Sequence, residues 1–201
     1  MSTLTAVVHL TLDGVMQAPG RPDEDTRDDF RHGGWAASYN DQVMAETMGR
    51  GMAAGLAGGA LLLGRRTYED FASFWPRQTD NPFTPVLAAM TKYVVSNTLH
   101  DPLPWENSTV LPGDAARSVG DLKQQGKNLV VLGSGGLLST LVSHDLVDEF
   151  LLTIHPLVLG SGRRLFTGDG HTATLQLVDS ATTTTGVLIG TYRPVRATSP
   201  A

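Results

Sequence analysis

Two glycine-bearing bends hold the residue types best suited to gripping an anion. In "NLVVLGSGGLLSTL" (128–141) an apolar run, Leu129 to Leu132, passes through Gly133, Ser134, Gly135 and Gly136 into a helical pattern. A helix starting there presents unpaired backbone N–H groups and the positive end of its dipole, and glycine lets the backbone approach a phosphate closely. The same residues also solve a tight strand-to-helix turn, and short glycine motifs recur by chance, so this stretch alone leaves both readings open. The second bend, Gly64-Arg65-Arg66-Thr67, closes another apolar run, "ALLLG". Its arginines add fork-shaped, charge-assisted donors that match phosphate geometry; the plainer reading is a solvated helix start. Two such bends in one sheet point to a ligand, because ligands of open α/β sheets collect at the carboxyl ends of strands.

Other chemistries lack their residues. The glycine turn is not the usual dinucleotide fingerprint, since it lies two-thirds along the chain with no acidic residue closing a following parallel strand. No Gly-x-Ser-x-Gly elbow surrounds Ser134, Ser139 or Ser161, and no lysine follows a glycine loop as in a P-loop. The six histidines (9, 32, 100, 144, 155 and 171) show no paired metal-ligand spacing, and there are no cysteines, so no metal is expected. A formal charge of -5 argues against nucleic acid, whose binding needs a basic surface. No window reaches the ~20 apolar residues of a membrane span, and the start has no cationic leader. The expectation is a soluble cytoplasmic protein, with residues 1–195 as one domain and 196–201 as a tail.

Periodicity supplies the elements around these bends. Leu4 to Leu10 reads as a strand, followed by a long polar loop from Asp13 to Trp35 that is either a lid or mobile filler. Met44, Met48, Met52 and Leu56 fall on one face of a helix over 37–56, ended by Gly58 and Gly59. After the strand 60–64, Tyr68, Phe71 and Trp75 share a helical face that Pro76 stops. A short helical piece spans Val86 to Thr91, followed by strands at Tyr93–Ser96 and Thr109–Leu111. Asp114 caps a helix that breaks at Gly126. The strand 129–132 leads into a helix with Leu137, Leu138, Leu141 and Val142 inward, then a strand over Glu149–Ile154. The Thr-rich end, with Thr182–Thr185 read as strand, alternates with period 2 and predicts an antiparallel hairpin. Apolar strands separated by helices make the class α/β, with a mixed, mostly parallel sheet covered on both faces.

Taken in order, "LLLGRRTYEDF", "KYVVSNTL", "VVLGSGGLLSTL" and "HDLVDEFLLTIHPLVLGSGRRLF" resemble the dihydrofolate reductase superfamily, and within it the riboflavin-biosynthesis reductase, the C-terminal domain of a bifunctional deaminase/reductase. The resemblance implies a dihydrofolate reductase-like three-layer fold with eight strands, and NADPH lying across the strand ends. Carried over by position, Gly64, Arg65, Arg66 and Thr67 would hold the cofactor's phosphates, the 2′-phosphate among them. Ser96 and Asn97 would sit near the adenosine, and Gly133, Ser134, Gly135, Gly136 and Leu137 against the pyrophosphate and nicotinamide ribose.

On the substrate side, Asp13 in "LDG" matches the Asp of the riboflavin-type reductases; its plainer reading is an Asp-Gly turn residue. Thr153 resembles the threonine lining the pterin pocket, or is a core threonine. Trp35 either closes over a ring system or anchors its loop. Arg163 and Arg164 are candidates for a substrate phosphate. Asp41 and Glu46 lack the register of the pterin-binding carboxylate. The resemblance implies hydride transfer from NADPH to a C=N or C=O carbon of a small-molecule substrate, with the proton from water or Asp13. Its family-level activity is 5-amino-6-(5-phosphoribosylamino)uracil reduction, in a homodimer. A dihydrofolate or pterin reductase and a non-catalytic NADPH-binding module are the alternatives.

Overall fold

A computed structural model describes residues 2–47, 49, 59–166 and 172–195. The strands are β1 (Leu4–Thr11), β2 (Ala60–Gly64), β3 (Lys92–Val95), β4 (Ser108–Leu111), β5 (Leu129–Leu132), β6 (Glu149–His155), β7 (Leu175–Thr182) and β8 (Leu188–Pro194). The helices are α1 (42–47), α2 (Arg65–Phe74), α3 (Phe83–Ala89), α4 (Ala115–Gln124) and α5 (Gly135–Ser143). One sheet runs β4-β3-β2-β5-β1-β6-β8-β7, parallel from β4 to β6 and antiparallel through the terminal hairpin. The fold class is α/β, as the alternating pattern indicates.

The layers follow from which strand residues point where. Ala6, Val8, Leu10, Leu62 and Val131 pack under Val119 and Leu122 of α4 and Leu137, Leu138 and Leu141 of α5. On the opposite face, Leu61, Leu63 and Val94 meet Tyr68 of α2 and Leu87 of α3, while Val7, Val130 and Leu151 meet Met44 of α1. Strands covered on both sides read as unbroken apolar runs, and Leu61, Leu62 and Leu63 are each 0% exposed. Burying one such side chain stabilises by about 1.5–3 kcal/mol.

The connections create a crevice. The chain leaving β1 goes to the face of α1, whereas the chain leaving the adjacent β5 goes to the face of α5. Strand β5 stops at Leu132, opposite Val7, while β1 continues to Thr11 beside β6. Beyond Leu132 the sheet therefore opens between β5 and β1, at the place where α/β folds bind ligands.

Three local expectations change. Helix α3 begins at Phe83, three residues before the expected start, because Pro85 falls in the first turn where its missing N–H costs nothing. Only Thr182 of the threonine run is strand; Thr183 to Thr185 form the hairpin loop. That loop reaches α1: Thr184 donates to Asp41 Oδ2 through its N–H and its hydroxyl, both at 2.6 Å, and Thr185 Oγ1 donates to Tyr39 O at 2.7 Å. Residues 37–39 form a 3-10 turn and the helix starts at 42. Met48, Met52, Leu56, Gly58 and the tail 196–201 lie outside the described residues.

Lys92 is fully buried at the start of β3. Its ammonium donates to the Ala88, Met90 and Glu106 carbonyls at 3.0, 2.8 and 3.0 Å and lies 4.4 Å from the Trp105 ring centroid. It satisfies carbonyls that the end of α3 leaves open, and burial pushes its pKa down to about 8.

Candidate active site

The three bends meet on one edge. Strands β3, β2 and β5 are parallel neighbours, so Ser96 and Asn97, Gly64, and Gly133 to Gly136 all follow carboxyl ends. Gly64 N–H donates to Ser134 Oγ at 3.1 Å, stitching the second bend to the first. Ser134 stands at the N-cap of α5 in the left-handed region, φ 56°, yet its hydroxyl turns to Gly64 and to Leu132 O and caps nothing. Helix α2, with Gly64 at its N-cap, also has no side-chain cap. Helix α4 begins on the same edge, and there Asp114 Oδ1 accepts the Arg117 N–H at 2.8 Å. Two of three neighbouring helix starts thus keep first-turn donors and positive dipole ends free of a side-chain cap.

The glycines separate by cause. Gly133 has φ +59°, which the turn requires. A Cβ on Gly135 would stand 3.2 Å from Met16 Sδ, so a side chain there would have to push the methionine by a few tenths of an ångström. Gly136 has neither constraint: a Cβ would meet nothing within 4 Å. Open space above an uncapped helix start is what an anion's close approach uses.

Around this edge, Arg65 pairs with Glu69 at 3.1 Å, and exposed Arg66 forms no ion pair with a described residue. The Thr67 methyl lies 3.9 Å from the Cβ position of Gly133. Ser96 Oγ is committed internally, accepting the Thr98 and Leu99 N–H groups at 3.1 and 3.0 Å. Asn97 Oδ1 accepts the Gly113 N–H at 2.6 Å, tying the end of β3 to that of β4.

Across the crevice the long loop is an ordered unit. Val15, Ala18, Phe30, Trp35 and Ala36 form a small core of their own with Leu157 and Leu159. Arg21 reaches α2, pairing with Asp70 and lying 4.2 Å from the Phe74 ring centroid. Trp35 is 7% exposed and its indole donates to Gln17 O at 2.7 Å. Of its two possible roles, anchoring the loop is the one these contacts serve.

Asp13 is a clasp. Its carboxylate accepts the Thr11 hydroxyl at 2.6 Å, the Leu159 and Gly160 N–H groups at 3.2 and 2.9 Å, and Arg164 Nη2 at 3.2 Å. The Thr11 hydroxyl, helped by those backbone donors, lowers its pKa to about 2. At neutral pH the group is therefore an anion. Arg164 also donates to Asp13 O at 2.8 Å, and Arg163 pairs with Asp28 at 2.9 Å, both guanidinium groups being about half exposed. Asp41 caps α1 through Met44 N–H at 2.7 Å while holding Thr184, and Glu46 bonds Gln42 at 2.8 Å.

Thr153 is fully buried and belongs to a cluster that the sequence did not disclose. Its hydroxyl lies 2.8 Å from His9 Nδ1 and donates to Val8 O at 3.3 Å. His9 Nδ1 is also 3.1 Å from Nε2 of His155, which is 0% exposed. The Trp35 and Tyr39 rings stand edge-on to His155, with centroids at 5.1 and 5.4 Å. Burial pushes both imidazoles down to about 4, so both are neutral at physiological pH. His9 and His155 are 146 residues apart in sequence, and only the β1–β6 register unites them.

Two cavities lie elsewhere: one of about 410 Å³ is lined by Trp75, Thr84 and Trp105, the other, of about 340 Å³, by Phe150, Phe166 and Leu175. Among the described residues no three His, Asp or Glu side chains converge as metal ligands.

Comparison with known proteins agrees with this architecture. The sequence model of the RibD C-terminal domain matches residues 2–189. The uncharacterized protein YyaP of Bacillus subtilis (strain 168) is 30% identical over 134 residues, 64% of this chain and 70% of YyaP. Among solved structures, a putative riboflavin biosynthesis protein from Shewanella sp. PV-4 superposes with a TM-score of 0.73 at 23% identity, covering 96% of this chain and 99% of that one. A diaminohydroxyphosphoribosylaminopyrimidine deaminase/5-amino-6-(5-phosphoribosylamino)uracil reductase from Thermotoga maritima gives a TM-score of 0.60 at 13% identity over 96% of this chain. The match spans 57% of that longer protein.

Proposed function

Because the chain belongs to the RibD C-terminal domain family, a family of reductases, we propose that it is an NADPH-dependent oxidoreductase reducing a C=N or C=O bond of a small heterocyclic substrate. The family-level substrate is 5-amino-6-(5-phosphoribosylamino)uracil. The observation that carries this reading is Gly136, a glycine that neither backbone nor packing requires, at an uncapped helix start beside a second uncapped start bearing Arg65 and Arg66.

In this reading the α5 start, Gly133 to Leu137, takes the pyrophosphate and nicotinamide ribose. Gly64, Arg65, Arg66 and Thr67 take the remaining phosphates, the 2′-phosphate included. Ser96 and Asn97, whose side chains are already bonded, shape the adenosine end through the backbone. The nicotinamide, when bound, supplies the hydride. The protein's own residues orient the reactants and exclude water. Asp13 acts by fixing the 156–165 loop, which carries Arg163 and Arg164 toward a substrate phosphate, while Trp35 and Thr153 support the substrate side. With Asp13 ionised, the proton comes from water.

A homodimer in the cytoplasm, without nucleic-acid or membrane partners, belongs to the same reading. Among the described residues no helix is long and apolar enough to cross a membrane.

The test is calorimetric titration with NADPH, followed by nicotinamide absorbance in the presence of the aminouracil phosphate or of dihydrofolate. Saturable binding with turnover of the aminouracil is the expected result. Binding without turnover on either substrate would make the protein a cofactor-binding module, and no binding would end the reductase reading.

A further inference from the structure

The groups facing the crevice from β1 include one imidazole nitrogen that the fold leaves unused. His9 lies two residues past Val7, the last β1 position paired with β5, so no β5 residue lies beside it. Its Nδ1 side is held against β6 by Thr153 and His155. Its Nε2 makes no hydrogen bond with a described residue, and His9 is partly exposed.

Two groups contact Nδ1, Thr153 Oγ1 and His155 Nε2, and which side donates goes with the tautomer. Thr153 has one hydroxyl proton, and the Val8 carbonyl can only accept it. With that proton on the Val8 carbonyl, Thr153 Oγ1 meets His9 Nδ1 at 2.8 Å as an acceptor and Nδ1 carries the N–H, shared with His155 Nε2 at 3.1 Å; with the hydroxyl donated to Nδ1 instead, the proton sits on Nε2. With a proton on Nδ1, a neutral imidazole carries its lone pair on Nε2. Burial keeps the ring neutral, near pKa 4.

We propose that His9 Nε2 is a substrate-specificity contact that accepts a hydrogen bond from a ring N–H or amino group of the heterocycle, with Thr153 and His155 as the positioning residues that set its tautomer. This rests on the reductase reading of the same crevice. A site built around such an acceptor discriminates against rings lacking the donor, because the buried partner would go unpaired.

Two measurements on the full chain test it. Long-range proton–nitrogen NMR of the imidazoles should show His9 as the Nδ1–H tautomer. Adding 5-amino-6-(5-phosphoribosylamino)uracil with NADP+ present should then move its Nε2 resonance. For His9→Phe, which keeps a ring of similar bulk, KM for the aminouracil should rise about tenfold, with kcat within about threefold and NADPH affinity unchanged, in line with loss of one hydrogen bond to a neutral group. His9→Gln, which restores an acceptor, should recover part of the loss and serves alone if the phenylalanine variant does not fold. An Nε2–H tautomer, or an unchanged KM in a wild-type enzyme that turns over the aminouracil, overturns the His9 proposal while leaving the reductase reading intact. A wild type that binds NADPH but reduces neither the aminouracil nor dihydrofolate removes both.

Discussion

The carboxyl edge of the sheet divides into two unlike halves at the crevice between β5 and β1. On the β3-β2-β5 side the main chain offers N–H groups at two helix starts, and the one side chain placed to cap α5 bonds to the neighbouring bend instead. On the β1-β6 side polar groups largely satisfy one another: Asp13 with Leu159, Gly160 and Arg164, Gln17 with Trp35 and Arg163, His9 with Thr153 and His155. Unsatisfied groups bind and mutually satisfied ones hold loops still. A site needs both, and here they come from different segments.

Acid should break the second half first, with the largest effect. His9 and His155 are held near pKa 4, below the unfolded value of 6.5. Between those values the unfolded chain binds protons that the folded chain refuses, so stability is complete above pH 6.5 and declines toward pH 4. The slope is about 1.4 kcal/mol per pH unit for each proton taken up. Urea denaturation at neutral and mildly acid pH measures it, and a flat profile would mean that the imidazoles are not buried neutral.

Next comes the clasp. Asp13→Ala leaves two backbone donors and a guanidinium without their acceptor and should cost about 3 kcal/mol in thermal or chemical unfolding, while NADPH affinity changes less than about twofold if the halves are independent.

Arg65→Ala with Arg66→Ala should reverse that pattern. About 30-fold weaker NADPH binding, roughly 2 kcal/mol, with NADH little affected and stability unmoved, is the expectation for a 2′-phosphate contact. Equal losses for both coenzymes would remove that role.

The smallest effects separate one helix start from another. Gly136→Ala should weaken NADPH about tenfold with stability within about 0.5 kcal/mol, whereas Asp114→Ala should cost about 1 kcal/mol of stability and leave NADPH untouched. An alanine at 136 that binds as the wild type does would return that glycine to a purely structural role.

The glycine bends were legible because their signal is local: a strand, a glycine and a helix start lie within a dozen residues, and their convergence follows once the strands are parallel. The β1-β6 side was not. His9 and His155 are two ordinary histidines until β1 and β6 pair, and Asp13 reads as an Asp-Gly turn because its partners lie some 146 residues on. Trp35 reads as either a lid or an anchor in the sequence, and its hydrogen bond to Gln17 O appears only once the loop is folded. The threonine run had strand propensity but was taken by the turn, where its hydroxyls bond Tyr39 and Asp41. Helix α3 hid its first turn behind two prolines, Pro82 at the N-cap and Pro85 within.

The central position of β1 bears on how the molecule is made. Of the eight described strands it is made first, yet its two neighbours, β5 and β6, are the fifth and sixth. Leu4 is translated about 125 residues before its partner Leu129, an interval on the order of ten seconds at about 5–20 residues per second. Throughout that time the nascent strand has both edges bare and Leu4, Ala6, Val8 and Leu10 without their layer, the condition in which edge-to-edge aggregation starts. A chain stalled before residue 129 would leave β1 without either neighbour, so holding that segment apart is a task for the cell's chaperones until the trailing half arrives.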